Sequence, residues 1–335
     1  MKSIILAVAP GNRLFPLSRT DSPTPFLKLF DGKSLFRMTL ERALLFSVPD
    51  ECYIVTNDAT APFVREELGD LPARVLGVPD AAIAMDAVHL GMEQIRKDWG
   101  IANVAILPSD HYLRMNEHYA MALHHAETLA DDYLIVFGVR PTWPNISCGY
   151  IRPGPIIGQG PGYRVRQFTD ARDLMDAKRQ ILAGCFWNSG MYLFNTDLFA
   201  AEAQRVAREA AEASAQLGSD IYELLPRRPA GSGLRLMTDH AAVVPLNTLW
   251  NDLGSLDALY RLEKKDGQGN AVRGEHVGIE SSGNLVVSDR LVGTVGVDDL
   301  VIVETKEMLL VCSRDAARNV DELVAALKEK GDPRA

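Results

Sequence analysis

Ser3-Ile4-Ile5-Leu6-Ala7-Val8-Ala9, followed at once by Pro10-Gly11-Asn12-Arg13-Leu14-Phe15-Pro16-Leu17-Ser18-Arg19, is the stretch that decides how the chain reads. An uncharged run from Ser3 to Ala9, rich in branched side chains and closed by a Pro-Gly pair, is the pattern of a strand buried on both faces. A half-exposed strand would alternate apolar with polar. The residues after it are more polar and carry two arginines. In open α/β sheets the loops at the carboxyl ends of strands hold the ligand, so a binding loop is expected here. Taken alone, one glycine and two arginines also suit an ordinary surface loop.

Working outward, the alternation continues. Leu35 to Phe46 has apolar positions at helical spacing, and Cys52-Tyr53-Ile54-Val55-Thr56 follows as a second strand, completing a strand–helix–strand unit. Thr60 to Leu68 and Ile83 to Lys97 are expected as helices and Asn103 to Leu107 as a buried strand ending at Pro108. Tyr119 to Leu129 reads as a further helix and Tyr133 to Val139 as a further strand. Such alternation yields an α/β fold with a mostly parallel sheet covered on both faces. Glu202 to Ala215 reads as a long helix whose charges form a solvated face. Past Leu262 the texture changes to a polar, Gly-rich stretch, Lys264 to Asn270, and then to short Val-rich strands, which places a domain boundary between 1–262 and 263–335. Ala316 to Lys330 returns to a helical period, with Val320, Leu323, Val324 and Leu327 on one face.

With 335 residues, 47% hydrophobic and 24% charged, the chain has the composition of a globular protein with room for one large domain and a smaller one. The amino-terminal apolar run is too short for a secretory signal, and no later stretch approaches the roughly 18 apolar residues of a membrane span. A soluble, cytoplasmic protein is expected. Cys52, Cys148, Cys185 and Cys312 are scattered without metal-ligand spacing, as reduced core thiols would be. A net charge of -9 argues against nucleic acid, whose phosphates are bound by clustered Lys and Arg. A small anionic substrate is compatible with that charge if a divalent cation and a few local arginines or lysines neutralise it.

The chain resembles the mannose-1-phosphate guanylyltransferases, whose signature is Leu-Ala-Gly-Gly-x-Gly-Thr-Arg-Leu-x-Pro-Leu-Ser-Arg followed shortly by Pro-Lys-x-Phe-Leu. Leu6, Ala7, Gly11, Arg13, Leu14, Pro16, Leu17, Ser18, Arg19, Pro23, Phe26 and Leu27 match it without a gap. Ordered matches continue through Leu107-Pro108-Ser109-Asp110-His111-Tyr112, Phe186-Trp187-Asn188-Ser189-Gly190-Met191, Trp250-Asn251-Asp252-Leu253-Gly254-Ser255 and Asp299-Leu300-Val301-Ile302-Val303-Glu304-Thr305.

The resemblance implies a Rossmann-like nucleotidyltransferase domain followed by a small left-handed β-helix-like domain that serves in dimer contacts, hence a homodimer. It implies that the phosphate of a hexose 1-phosphate, expected to be mannose 1-phosphate, attacks the α-phosphorus of a nucleoside triphosphate, expected to be GTP, and that pyrophosphate leaves. The second pKa of a phosphate monoester is about 6, so the nucleophile is ionised near neutrality and no general base is required. Charge neutralisation and alignment remain to be supplied. By resemblance, Asp110 and Asp252 hold Mg²⁺, the expected cofactor, between the phosphates. Arg13 grips triphosphate oxygens, while Ala7, Gly11 and Asn12 join Arg13 and Asp110 around the nucleotide. Gly149, Asn188 and Asp252 line the sugar. As isolated residues, the aspartates would more often be helix caps or turn formers, and Asn188 is expected on a tight Trp-Asn-Ser-Gly turn, where an ordinary turn asparagine would also serve.

The departures from the family pattern lie in the ligand motifs. Val8 and Ala9 stand at two glycine positions of the loop, where Cβ atoms would obstruct close backbone approach to phosphate. Thr24 stands at the Lys of Pro-Lys-x-Phe-Leu, and Lys28, four residues on, is a candidate phosphate contact in its place. The Glu-Pro that precedes the guanine-contacting stretch is Val78-Pro79, followed by Asp80-Ala81-Ala82-Ile83, and Thr-Gly-Tyr-Gly-Tyr-Ile is Ile146-Ser147-Cys148-Gly149-Tyr150-Ile151. Phe-x-Glu-Lys-Pro becomes Phe168-Thr169-Asp170-Ala171 within Arg166–Ala171, read as losing both the sugar acceptor and the cation. These losses keep a second expectation open: a weakly active or inactive relative that binds nucleotide sugar and regulates a partner.

Overall fold

The amino-terminal apolar run forms the strand expected of it. In β1 (Lys2–Ala7), Ile4, Ile5 and Ala7 are fully buried and Leu6 nearly so, because helices cover both faces of a central parallel strand. The computed structural model describes residues 1–8, 12–80, 84–217, 240–332 and 334. After β1 come α1 (Leu35–Ala43), β2 (Cys52–Thr56), α2 (Ala61–Leu68), β3 (Arg74–Gly77), α3 (Ala84–Trp99), β4 (Asn103–Pro108), β5 (Tyr112–Leu113), α4 (Glu117–Glu127) and β6 (Leu134–Val139). Then follow β7 (Gly149–Ile157), β8 (Gly162–Asp170), α5 (Leu174–Leu182), β9 (Phe186–Asn195), α6 (Thr196–Leu217), β10 (Ala241–Leu246) and β11 (Trp250–Asn251). Two compact units emerge: Met1–Val8, Met38–Ser109 and Leu113–Trp250 form one, and Ala9–Arg37, Asp110–Tyr112 and Asn251–Ala335 the other.

The first unit is built on a nine-stranded sheet of order β3-β2-β1-β4-β9-β6-β10-β8-β7. Its β3-β2-β1-β4 half and the β6–β10 pair are parallel, and β9 runs antiparallel between β4 and β6. Helix α3 comes very close to the sheet at Gly91, where an added Cβ would lie 2.6 Å from Ile4 Cδ1. The core joins Ile4, Tyr53, Val55, Val104 and Ile106 to Met92 and Ile95 of α3 and to Phe194 and Phe199. Each such aliphatic or aromatic side chain contributes about 1.5–3 kcal/mol by leaving water.

Local chemistry explains most element ends. Helix α1 stops at Ala43 rather than reaching Phe46: the amides of Leu45 and Phe46 tighten to i−3 carbonyls, and Val48 precedes Pro49, whose ring disfavours helical backbone at the residue before it. Glu202 of α6 departs from the solvated face expected of it. It is 5% exposed, and its Oε2 accepts from Arg205 Nη2 at 2.8 Å.

In the second unit the carboxyl-terminal strands are β12 (Ala271–Arg273), β13 (His276–Ile279), β14 (Leu285–Val287), β15 (Val292–Val295), β16 (Leu300–Glu304) and β17 (Leu309–Ser313). Alternate strands stack in parallel. Ala271, Leu285 and Val301 are register partners through β12-β14-β16, while Val277 opposes Gly293 between β13 and β15. This is a short parallel β-coil, closed by antiparallel β17 and a final helix, α8 (Val320–Glu329), which follows α7 (Leu256–Leu262). Its turns are held by buried asparagines: Asn284 Nδ2 donates to Asn270 Oδ1 at 3.1 Å and to Val297 O at 3.1 Å, and Asn284 Oδ1 accepts from Leu300 N at 2.8 Å.

Candidate active site

The loop that follows β1 begins in the first unit. Ala7 is fully buried at the strand's carboxyl end, and its carbonyl accepts from Thr60 Oγ1 at 2.7 Å. Val8 packs its side chain against the core, so the glycine-to-valine change points inward. Gly11, like Ala9, lies outside the described residues.

Beyond it, in the second unit, the chain makes tight turns, with Phe15 N donating to Asn12 O and Leu17 N to Leu14 O. Leu14 and Phe15 are buried, and the buried Ser18 hydroxyl accepts from Leu14 N at 3.0 Å. This leaves Arg13 exposed and free of ion pairs among the described residues, whereas Arg19 is paired with Glu307 and Asp21. Asn12 Oδ1 is buried without a hydrogen-bond partner among the described residues. Among the described residues the loop thus supplies one guanidinium outside any ion pair and one acceptor without a donor. Thr24 is buried in a 3₁₀ turn, and Lys28 just after it is exposed and in no described ion pair.

Asp110 and Asp252 also belong to the second unit. Asp110 follows β4 by two residues and is half-buried, with His111 Nε2 3.6 Å from its Oδ1. Asp252 follows Asn251, whose Oδ1 accepts from Leu253 N at 2.8 Å and thereby holds Leu253 at φ 46°. Gly254 N donates to Asp252 Oδ1 at 3.4 Å, and a Cβ at Gly254 would stand 3.1 Å from Asp252 Oδ2. The glycine therefore leaves the carboxylate its room. No cluster of three or more His, Cys, Asp or Glu side chains suited to a metal occurs among the described residues. Asp110 and Asp252 each offer the single carboxylate that Mg²⁺ takes when phosphates and water complete its shell.

Of the three residues expected at the sugar, Gly149 and Asn188 meet within the first unit, whereas Asp252 belongs to the second. Pairing of β7 with β9 sets Tyr150 opposite Trp187, bringing Gly149 beside Asn188: a Cβ on the glycine would lie 3.7 Å from Asn188 Cβ. Asn188 is not in a turn. It lies within strand β9, next to an irregularity in the β6–β9 register, and the turn-like sequence Asn-Ser-Gly is absorbed there: Gly190 adopts φ 72°, its amide donates to Asn188 Oδ1, and Ser189 Oγ donates to Phe137 O. Asn188 Nδ2 reaches the hydroxyl of Tyr192 at 3.5 Å, a phenol whose pKa burial pushes up to about 12. Beside Asn188, the buried Trp187 ring sits edge-on to Trp143 with centroids 4.6 Å apart and 6.2 Å from Trp250.

Asp170 stands beside Gly149, where its altered motif had hidden it. It ends β8 as the register partner of Gly149, and its Oδ1 lies 3.7 Å from a Cβ built on that glycine. A carboxylate one methylene shorter thus stands at the Glu position of the motif, while the Lys position is the uncharged Ala171. The place of Asp170 after Phe168-Thr169 was the available signal, because Asp and Glu offer the same acceptor. A separate cavity of about 730 Å³, lined by His118, His125, Gly160 and Asn247 among others, contains none of the residues above.

A family model described as Nucleotidyl transferase matches residues 2–269. The chain belongs to the nucleotidyl transferase family. A second model, described as MannoseP isomerase/GMP-like beta-helix domain, matches residues 274–327, from the β-coil into α8. Curated relatives of this nucleotidyl transferase include the xanthan biosynthesis protein XanB of Xanthomonas campestris, 30% identical over 349 residues that cover 98% of this chain and 73% of the relative. A mannose-1-phosphate guanylyltransferase of Escherichia coli is 30% identical over 357 residues, covering 98% and 76%. The crystal structure of mannose-1-phosphate geranyltransferase from Thermus thermophilus matches with a TM-score of 0.83 at 32% identity, covering 98% of this chain and 99% of that one. Membership in the family, the α/β sheet and the β-helix-like carboxyl-terminal region of this nucleotidyl transferase agree with the expectations drawn from its motifs. None of its described helices is long and apolar enough to cross a membrane.

Proposed function

We propose that the protein transfers a guanylyl group from GTP to mannose 1-phosphate. A phosphate oxygen of the sugar forms a bond to the α-phosphorus, the bond from that phosphorus to the bridging oxygen breaks, and pyrophosphate leaves. The observation that carries this reading is the grouping of Gly149, Asn188 and Asp170, a residue without a side chain beside an amide and a carboxylate that suit ring hydroxyls. The choice of mannose and guanine rests on the relatives' names.

Each residue then has a role set by its chemistry. Asp110 and Asp252 hold Mg²⁺, which neutralises phosphate charge and aligns the reacting groups. Arg13 binds triphosphate oxygens in a two-pronged grip, Ala7, Gly11 and Asn12 flank the nucleotide, and Lys28 is available to the phosphates. Asn188 and Asp170 orient the sugar.

Three further points belong to this reading. The catalytic region is 1–262 and the β-coil region 263–335. The free, mostly buried cysteines suit the reducing cytoplasm. Val277, Ile279 and Val295 are 58%, 60% and 71% exposed on β13 and β15, an apolar strip that a second copy of the chain would cover in a homodimer. Light scattering that finds only monomer would remove the last point.

The decisive experiment is pyrophosphate release with Mg²⁺ across a panel of nucleoside triphosphates and hexose 1-phosphates. Turnover with GTP and mannose 1-phosphate is expected; turnover with another pair reassigns base or sugar. Silence across the panel, with saturable binding of a nucleotide sugar, would replace this reading with the regulatory one. That alternative draws on Thr24 and Ala171, buried where the family pattern places lysines.

A further inference from the structure

Arg42 sits in α1, one residue from its end, and is 1% exposed. A guanidinium brings five N–H donors and a permanent charge into the interior. Nη2 donates to Thr39 Oγ1. Nε and Nη1 have no hydrogen-bond partner among the described residues, and no described carboxylate pairs with the group. Its electrostatic neighbour is the phenol of Tyr119, whose hydroxyl is likewise buried without a described partner. Burial drives the pKa of Arg42 down to about 10, the neighbouring Tyr119 phenol offsetting only part of the desolvation of the cation.

Stability does not account for such a residue. Uncompensated buried charge is destabilising, and an apolar side chain of similar length is often neutral or better. Location supplies the reason. Thr39 Oγ1, which receives the Arg42 hydrogen bond, stands 3.4 Å from the carbonyl oxygen of Pro108 and donates to it. Pro108 is the last residue of β4, and Ser109, whose amide donates to Leu6 O at 3.1 Å and whose hydroxyl is buried without a described partner, leads directly into Asp110.

We infer that Arg42 is a positioning residue of the transfer reaction: through Thr39 it holds the Pro108 carbonyl, and so the strand end that leads into Asp110. Its charge also acts from the interior on the negative charge that gathers at the carboxyl end of β4 when phosphates and metal bind, where screening is weaker than in water. The inference rests on the proposed transfer, since it gives Arg42 a task only if Asp110 has one.

The test uses Arg42→Met, which keeps length and removes charge, Arg42→Lys, which keeps charge, and Thr39→Val, which cuts the relay. Three quantities are measured: thermal midpoint, kcat and KM for the pair the panel identifies, and Mn²⁺ binding in the presence of inorganic pyrophosphate by electron paramagnetic resonance. Arg42→Met is expected to melt at or above the wild-type temperature, to lose about 10- to 100-fold in kcat with KM little changed, and to bind Mn²⁺ with pyrophosphate less tightly. Arg42→Lys recovers part of both losses. Wild-type kcat and wild-type Mn²⁺ binding in folded Arg42→Met overturn the inference, and should that variant not fold, the same result in Thr39→Val overturns it. If the wild type binds Mn²⁺ with pyrophosphate but turns nothing over, the transfer reading fails alone, and the binding comparison still decides Arg42. If the wild type binds neither, both fall.

Discussion

Gly149 and Asn188 face each other across neighbouring strands, close enough that a Cβ on the glycine would be 3.7 Å from the Cβ of the asparagine. That is ordinary van der Waals contact, and Gly149 does not require positive φ. Gly149→Ala should therefore fold as the wild type does while setting a methyl group against Asn188 and Asp170. We expect a thermal midpoint within a few degrees of wild type and a KM for hexose 1-phosphate raised about 10-fold, the value of one lost hydrogen bond or one clash. The KM for the nucleotide should hold steady, and equal KM values for the sugar in variant and wild type would place the sugar elsewhere.

Asp170 should behave as an acceptor for a sugar hydroxyl. Its removal in Asp170→Ala is expected to raise the sugar KM by about 10- to 100-fold, the range for a hydrogen bond to a charged group. Asp170→Asn, which keeps one carbonyl oxygen, should fall between. Steady-state kinetics at saturating nucleotide decide this, and a normal KM in the alanine variant would mean that Asp170 does not bind the sugar.

The two aspartates separate by what each change does to metal demand. Asp110→Asn and Asp252→Asn each remove a ligand charge and should cut turnover by about 10³-fold or more, as should chelation of Mg²⁺ in the wild type. Gly254→Ala is subtler, because its new Cβ would meet Asp252 Oδ2 at 3.1 Å and displace the carboxylate. The Mg²⁺ concentration for half-maximal rate should rise in that variant while full activity returns at high Mg²⁺. A rate insensitive to Mg²⁺ in all three would remove the metal assignment.

Stability should fail on the alkaline side in a way set by buried phenols. Burial pushes Tyr119 and Tyr192 up to about 12, and burial together with the bond to Asp98 does the same for Tyr53. A phenol whose pKa is higher in the folded than in the unfolded chain favours folding in its neutral form. That contribution is complete below the unfolded value of about 10 and disappears as pH climbs toward 12. Thermal midpoints measured from about pH 8 to about pH 11.5 should show these groups adding no slope until about pH 9.5 and a falling curve above it. Undiminished stability at the alkaline end would mean the phenols are not buried as described.

Much of this was legible in the residues themselves. Cys52 to Thr56 and Asn103 to Leu107 read as strands because a largely apolar run of that length has few other uses, and the structure places them in the parallel half of the sheet. Helix limits were less legible at α1, where Pro49 acts from beyond the pattern. At Asn188 the turn-forming letters Asn-Ser-Gly misled, since a strand irregularity can use the same side-chain-to-backbone bonds as a turn.

The sequence by itself determined the order of strands and helices, the family, and the residue types at the loop after β1, because covalent order and short-range periodicity survive without any knowledge of partners. Tertiary structure alone decided which side chains meet. Asp170 reaches Gly149 only through the register of the β7–β8 hairpin, and Glu202 and Arg42 are interior charges only because other elements close over them. Register and burial are settled by contacts between residues distant in the chain, so the residue type alone does not say whether a carboxylate serves a ligand, a partner or the solvent.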